Sequence, residues 1–149
     1  MIKRIAIDGY KCFSKFDFTL DVPSFVFFSG RNGSGKSTLF EVLALVRDVA
    51  GRGIPLVADD GTFLVMGSTV TRWSEKVEAQ TFEIETAIDG LNYRYRLVVD
   101  AKTPDHTPRV HQESLECEGK TVFSCQDGAV SLLNSRGQKK VGFHVDWSK

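Results

Sequence analysis

The sequence predicts an α/β chain, with a strand-loop-helix core first and an antiparallel β-subdomain after it. Three observations carry that prediction. A glycine-rich stretch, "FFSGRNGSGKSTLF" at 27–40, lies between two apolar runs. One segment alone, residues 37–51, has the period of a long helix. From about residue 62 the apolar residues recur with a period nearer two than 3.6, punctuated by acidic-Gly pairs. The expected division is residues 1–51 as the core and residues 52–149 as a β-rich part of the same unit.

The core opens with three short apolar runs. "IKRIAID" (2–8) alternates imperfectly, with Ile5 and Ile7 on one face and Ile2 and Ala6 on the other. "KFDFTLD" (15–21) alternates Phe16, Phe18 and Leu20 cleanly. "SFVFFS" (24–29) is apolar throughout its centre, as a strand covered on both faces is. Pro23 separates the last two and favours an extended Val22. After the glycine-rich loop, "STLFEVLALVRDVAG" (37–51) carries apolar residues almost all round, leaving Glu41 and Asp48 on a polar edge. A mostly buried helix is expected, ended by Gly51.

Beyond it, "GRGIPLVADDG" (51–61) reads as a loop. In "TFEIETAIDGLNYRYRLVV" (81–99), Asp89-Gly90 is a two-residue hairpin signal. That turn sets Ile88 opposite Leu91, Thr86 opposite Tyr93, Ile84 opposite Tyr95 and Phe82 opposite Leu97 on one face. The other face matches Glu85 with Arg94 and Glu83 with Arg96. "QESLECEGKTVFSCQDGAVSLLN" (112–134) repeats the grammar, with turns at Glu118-Gly119 and Asp127-Gly128, after a Pro-containing connection at 101–110.

Composition narrows the class. With 149 residues, 42% apolar and 26% charged, the chain is long enough to bury one core. Nineteen basic residues balance nineteen acidic ones, so no overall charge points to nucleic acid or an anionic membrane. No stretch has the length of a membrane span, and no membrane partner is expected. Cys12, Cys117 and Cys125 lack metal-ligand spacing and read as reduced thiols of a cytoplasmic protein.

The glycine-rich stretch fits the phosphate-loop pattern G-x-x-x-x-G-K-[ST] in full, from Gly30 to Ser37. Backbone N–H groups can converge on phosphate oxygens only where glycine supplies unusual dihedrals and close approach. Gly30, Gly33 and Gly35 provide this, and the helix N-terminus adds unpaired N–H groups and its positive dipole end. Lys36 is expected to reach the β- and γ-phosphates of ATP, and the Ser37 hydroxyl to ligate Mg²⁺. The expected nucleotide-binding set is Gly30, Arg31, Asn32, Gly33, Ser34, Gly35, Lys36, Ser37 and Thr38.

"SGRNGSGKSTL" together with the upstream "IDGYKCFSKFDFTL" resembles the N-terminal half of ABC-type ATPase heads of the SMC/RecF/OLD group. "VHQESLECEGKTVF" (110–123) is similar to their predicted AAA-type subgroup. The resemblance implies a P-loop NTPase core with an antiparallel β-subdomain inserted after the first helix. It also implies that Lys11, in "YKCF", lies near the nucleotide; a solvated lysine at a strand end is the other reading. It further implies head-to-tail dimerisation around ATP when the C-terminal half is present, and DNA or a nuclease as partner, in DNA maintenance or prokaryotic defence. Arg94 and Arg96 suggest a DNA-contacting face or, given their glutamates, a salt-paired solvated one.

Hydrolysis in that group needs three further parts: an apolar strand ending in Asp-Glu, a Ser-Gly-Gly signature and a switch histidine. "LVVDA" (97–101) and "PLVADD" (55–60) do not supply the strand, and His106, His111 and His144 have no supporting pattern. The expectation is the N-terminal portion of a longer ATPase, inactive in isolation. The alternatives are a nucleotide-gated interaction module and a small P-loop kinase.

Overall fold

The computed structural model describes residues 1–20, 26–52, 69–71, 79–100, 108–134 and 138–144. Their elements are β1 (Ile2–Asp8), β2 (Phe16–Thr19), α1 (Lys36–Arg52), β3 (Ala79–Ile88), β4 (Leu91–Asp100), β5 (Arg109–Cys117), β6 (Lys120–Gln126), β7 (Ala129–Leu133) and β8 (Lys139–His144). The eight strands form one sheet in the order β2-β1-β3-β4-β5-β6-β7-β8. Every neighbouring pair is antiparallel. The α/β character therefore rests on a single helix laid against an otherwise antiparallel sheet, and β1 and β2 share that sheet with β3–β8.

The β3–β4 hairpin has the register that its sequence dictates. Ile88 faces Leu91, Thr86 faces Tyr93, Ile84 faces Tyr95, and Phe82 faces Leu97. The turns are made by Asp89-Gly90, Glu118-Gly119 and Asp127-Gly128, each residue with a positive φ. Two consecutive left-handed residues match the twist of antiparallel strands, and glycine at the second position adopts that conformation without strain.

The core lies between α1 and one face of the sheet. Ile5, Ile7, Phe82, Leu97 and Val99 come from the strands, and Leu39, Val42, Leu45 and Val46 from the helix. These helix positions, spaced three, three and one apart, lie on a single face. The expectation of a mostly buried helix is thus corrected: Phe40, Glu41, Arg47 and Ala50 are exposed, Phe40 by 58%. A groove of about 680 Å³ opens beside the C-terminal half of α1, among Leu43, Val46, Ile84, Ile88, Tyr95 and Leu115.

The opposite face of the sheet is charged. Arg4 on β1 grips Asp17 on β2 with two 2.8 Å bonds and also donates to Glu83 and Glu85 on β3. Arg94 on β4 donates to Glu85 at 2.9 and 3.0 Å. Glu83 and Arg96 share a register position, but Glu83 turns to Arg4, and among the described residues Arg96 forms no ion pair.

The expected strand at 24–29 is the main difference. Residues 26–29 belong to no strand, and Phe27 is 80% exposed. Apolar pattern identifies a segment that needs cover; pairing needs a neighbouring strand, and none reaches these residues among those described. Residues 21–25, with Pro23, lie outside the described residues, as do 53–68, 72–78, 101–107, 135–137 and 145–149.

Candidate functional site

The loop from Gly30 to Gly35 leads directly into α1, as the motif requires. An Arg31–Ser34 turn, closed by the Ser34 N–H on the Arg31 carbonyl at 3.2 Å, places Asn32 and Gly33 at its corner. Gly33 and Gly35 have φ of +82° and +91°, so both use the left-handed freedom that the sequence reading assigned to them. They are constrained differently. A Cβ on Gly33 would meet open space. A Cβ on Gly35 would lie 2.9 Å from the Cys12 Sγ and 3.2 Å from the Phe13 ring. The Gly35 carbonyl accepts the first helical bond, from the Leu39 N–H at 2.9 Å.

Helix α1 has 17 residues and no acidic residue in its first turn, so nothing on the helix itself offsets its positive end. Among the described residues, the backbone N–H groups of Gly33, Gly35, Lys36, Ser37 and Thr38 meet no acceptor. Gly30, Arg31, Asn32, Gly33, Ser34 and Ser37 are exposed. The result is a run of unpaired donors at a helix N-terminus, Gly33 and Ser37 exposed and Gly35, Lys36 and Thr38 half-buried, the arrangement that suits phosphate oxygens. The Lys36 ammonium lies across the loop, donating to the carbonyls of Gly30 at 2.7 Å and Arg31 at 2.9 Å, with Ser34 Oγ at 3.4 Å.

Lys11 sits at the turn after β1 with φ of +47°. Its ammonium is held by Glu41 of α1 at 2.5 Å and lies 5.4 Å from the Tyr10 ring centre. The hydrogen bond to Glu41 raises the Lys11 pKa, with burial opposing. The loop residues 30–38 are thus contiguous around one helix end, whereas Lys11 is engaged by Glu41.

Residues that sequence reasoning did not single out also shape the site. Cys12 and Phe13 floor the loop at Gly35, and Glu41 fixes Lys11. The only sequence trace of the first two was the "YKCF" element itself. Glu41 left none beyond its place one turn after Ser37.

The remaining candidates lie elsewhere. His111 Nδ1 is 2.8 Å from Asp127 and 3.7 Å from Asp100, which accounts for both the histidine and the carboxylate that ends β4. His144 is exposed on β8, and His106 lies outside the described residues. Among the described residues no cluster of three or more His, Cys, Asp or Glu can hold a metal. No loop residue lines the 680 Å³ groove beside α1. All three cysteines are free thiols, Cys12 exposed and Cys125 buried. No helix among the described residues is long and apolar enough to cross a membrane.

A family model described as "AAA domain, putative AbiEii toxin, Type IV TA system" matches residues 25–134, well over half of the chain. The match takes in the whole loop, α1 and strands β3–β7.

Proposed function

The chain belongs to this AAA domain family of P-loop nucleotide-binding ATPases, and from that premise we propose that it forms the ATP- and Mg²⁺-binding part of an SMC/RecF-like ATPase head. The observation that carries the reading is the set of N–H groups of Gly33, Gly35, Lys36, Ser37 and Thr38, which meet no acceptor among the described residues, beside the Lys36 ammonium. The residues fit a triphosphate. Gly33 and Gly35 turn the backbone so that its donors face outward, α1 contributes its positive end, and Lys36 supplies the balancing charge. A phosphate oxygen replaces the weakest lysine contact, the 3.4 Å one to Ser34, while the two carbonyls keep the side chain in place. The Ser37 hydroxyl serves the metal.

Residues 1–51 act as the nucleotide core and 52–149 as the β-rich part of the same head. In a longer chain, two such heads close head to tail around ATP, because a loop that grips from one side leaves the outer γ-phosphate charge uncompensated. The toxin–antitoxin wording of the family's description supports prokaryotic defence over DNA maintenance as the setting, with DNA or a nuclease as partner. Free cysteines support a reducing compartment, the cytoplasm.

A nucleotide-gated module without turnover is the second reading. Its support is that the nearest acidic side chain on α1, Glu41, is occupied by Lys11, and Asp100 by His111. Calorimetric titration with Mg-ATP tests the common premise. Weak binding is expected for the wild-type chain and none for Lys36→Ala; equal binding by the two sinks the loop assignment. Phosphate release by the longer chain that carries the C-terminal half then separates the readings, since the module yields none.

A further inference from the structure

At Gly35 the phosphate loop lies against the turn that follows β1. That turn is closed by its own hydrogen bond and held from three sides, by residues 69–71, by β3 and by α1. The Phe13 N–H bonds the Tyr10 carbonyl at 2.7 Å, and the Lys11 N–H bonds Thr69 O at 2.6 Å. The Thr71 N–H bonds Gly9 O at 2.9 Å, and the Tyr10 ring meets Phe82 edge-on at 5.4 Å. The Lys11–Glu41 pair ties the same turn to α1. A turn anchored to residues 69–71, β3 and α1 together is a rigid platform. Phe13, only 8% exposed and 4.7 Å from Phe16, rises from it with its ring against Gly35.

We propose that Phe13 is a positioning residue for nucleotide binding: its ring tip, with Cys12 beside it, props Gly35 in the left-handed conformation that aims the loop's N–H groups outward. The inference rests on the nucleotide reading above but concerns the loop's shape, which exists without ligand. The nearest ring atom to a Cβ at Gly35 is Cζ, at 3.2 Å, followed by Cε1 at 3.3 Å. Cζ is the para position, where tyrosine differs from phenylalanine by one hydroxyl. Phe13→Tyr therefore keeps the buried ring and thrusts one oxygen into the loop. Phe13→Leu keeps an apolar side chain and withdraws the prop.

Backbone ¹⁵N relaxation and amide shifts of Gly33 and Gly35 in the ligand-free chain read the loop directly. Wild type is expected to show an ordered Gly35, and both variants shifted or mobilised amides at Gly33 and Gly35, with thermal unfolding of Phe13→Tyr within a few degrees of wild type. Titration with a fluorescent ATP analogue and Mg²⁺ is expected to show affinity lowered about tenfold or more, since displacements of well under 1 Å spoil a preorganised site. Unchanged Gly35 amides in Phe13→Tyr overturn the proposal, as does analogue affinity equal to wild type's. If Phe13→Leu does not fold, Cys12→Ala, on an exposed side chain, removes the other contact and is expected to mobilise Gly35. Failure of wild type to bind the analogue overturns the nucleotide reading instead, while the ligand-free amides still decide the role of Phe13.

Discussion

At the scale of single residues, the three loop glycines are not equivalent. Gly33 needs glycine for its φ alone, because a side chain there enters open space, whereas Gly35 needs it for φ and for its contact with Cys12 and Phe13. A left-handed L-residue costs roughly 1–2 kcal/mol. Gly33→Ala is thus expected to weaken Mg-ATP binding modestly, and Gly35→Ala to weaken it much further, both read in one calorimetric series. Equal losses contradict the distinction. The sequence shows that glycine is required at both positions, since the motif spacing is local. It does not show why, because Cys12 and Phe13 reach Gly35 across more than twenty positions of chain. Glu41 was similarly hidden. Its charge looked like the polar edge of a helix, and only the packing of α1 against the β1 turn brings Lys11 to it.

At the scale of elements, the hairpins were the most legible part. Asp89-Gly90 sets the register, and that register places apolar residues on one face and opposite charges on the other, so two independent patterns agree. The helix bounds follow within a residue or so, but its burial was overstated. Composition round a helix counts apolar residues, and Phe40 is one, yet only the face with Leu39, Val42, Leu45 and Val46 meets the sheet. Residues 26–29 fail as a strand for a related reason: pairing depends on a neighbour that local sequence does not reveal. The central element pair rests on Phe82, fully buried between β1 and β4. Phe82→Ala is expected to cost about 3–5 kcal/mol of stability, measured by denaturant unfolding, because the cavity lies under both α1 and β1. A loss below about 1 kcal/mol means that the sheet and α1 do not share this core.

For the whole molecule, stability is expected to fall at alkaline pH. Burial raises the phenol pKa of Tyr10, and burial together with the 2.6 Å hydrogen bond to Glu113 raises that of Tyr95. A raised pKa keeps the phenol protonated when folded, so the unfolded chain gives up its proton first, near pH 10. The contribution is complete below that pH and is lost as pH rises beyond it. Melting temperatures taken from roughly pH 8 to 11 should drop more steeply for wild type than for Tyr95→Phe; parallel curves contradict the assignment to this phenol. The strand order has another consequence, in time. Strands β3 to β8 each pair with their sequence neighbours, so they need only short loops to close. Strand β1 instead enters beside β3, and the Thr86 hydroxyl bonds Met1 O across 85 positions. Long closures cost more chain entropy and slow folding, so the meander comes first and β1 joins it late. The phosphate loop leans on the turn at the end of β1, so it is among the last parts to acquire its shape. A newly made chain becomes competent for nucleotide only when its first strand has met β3.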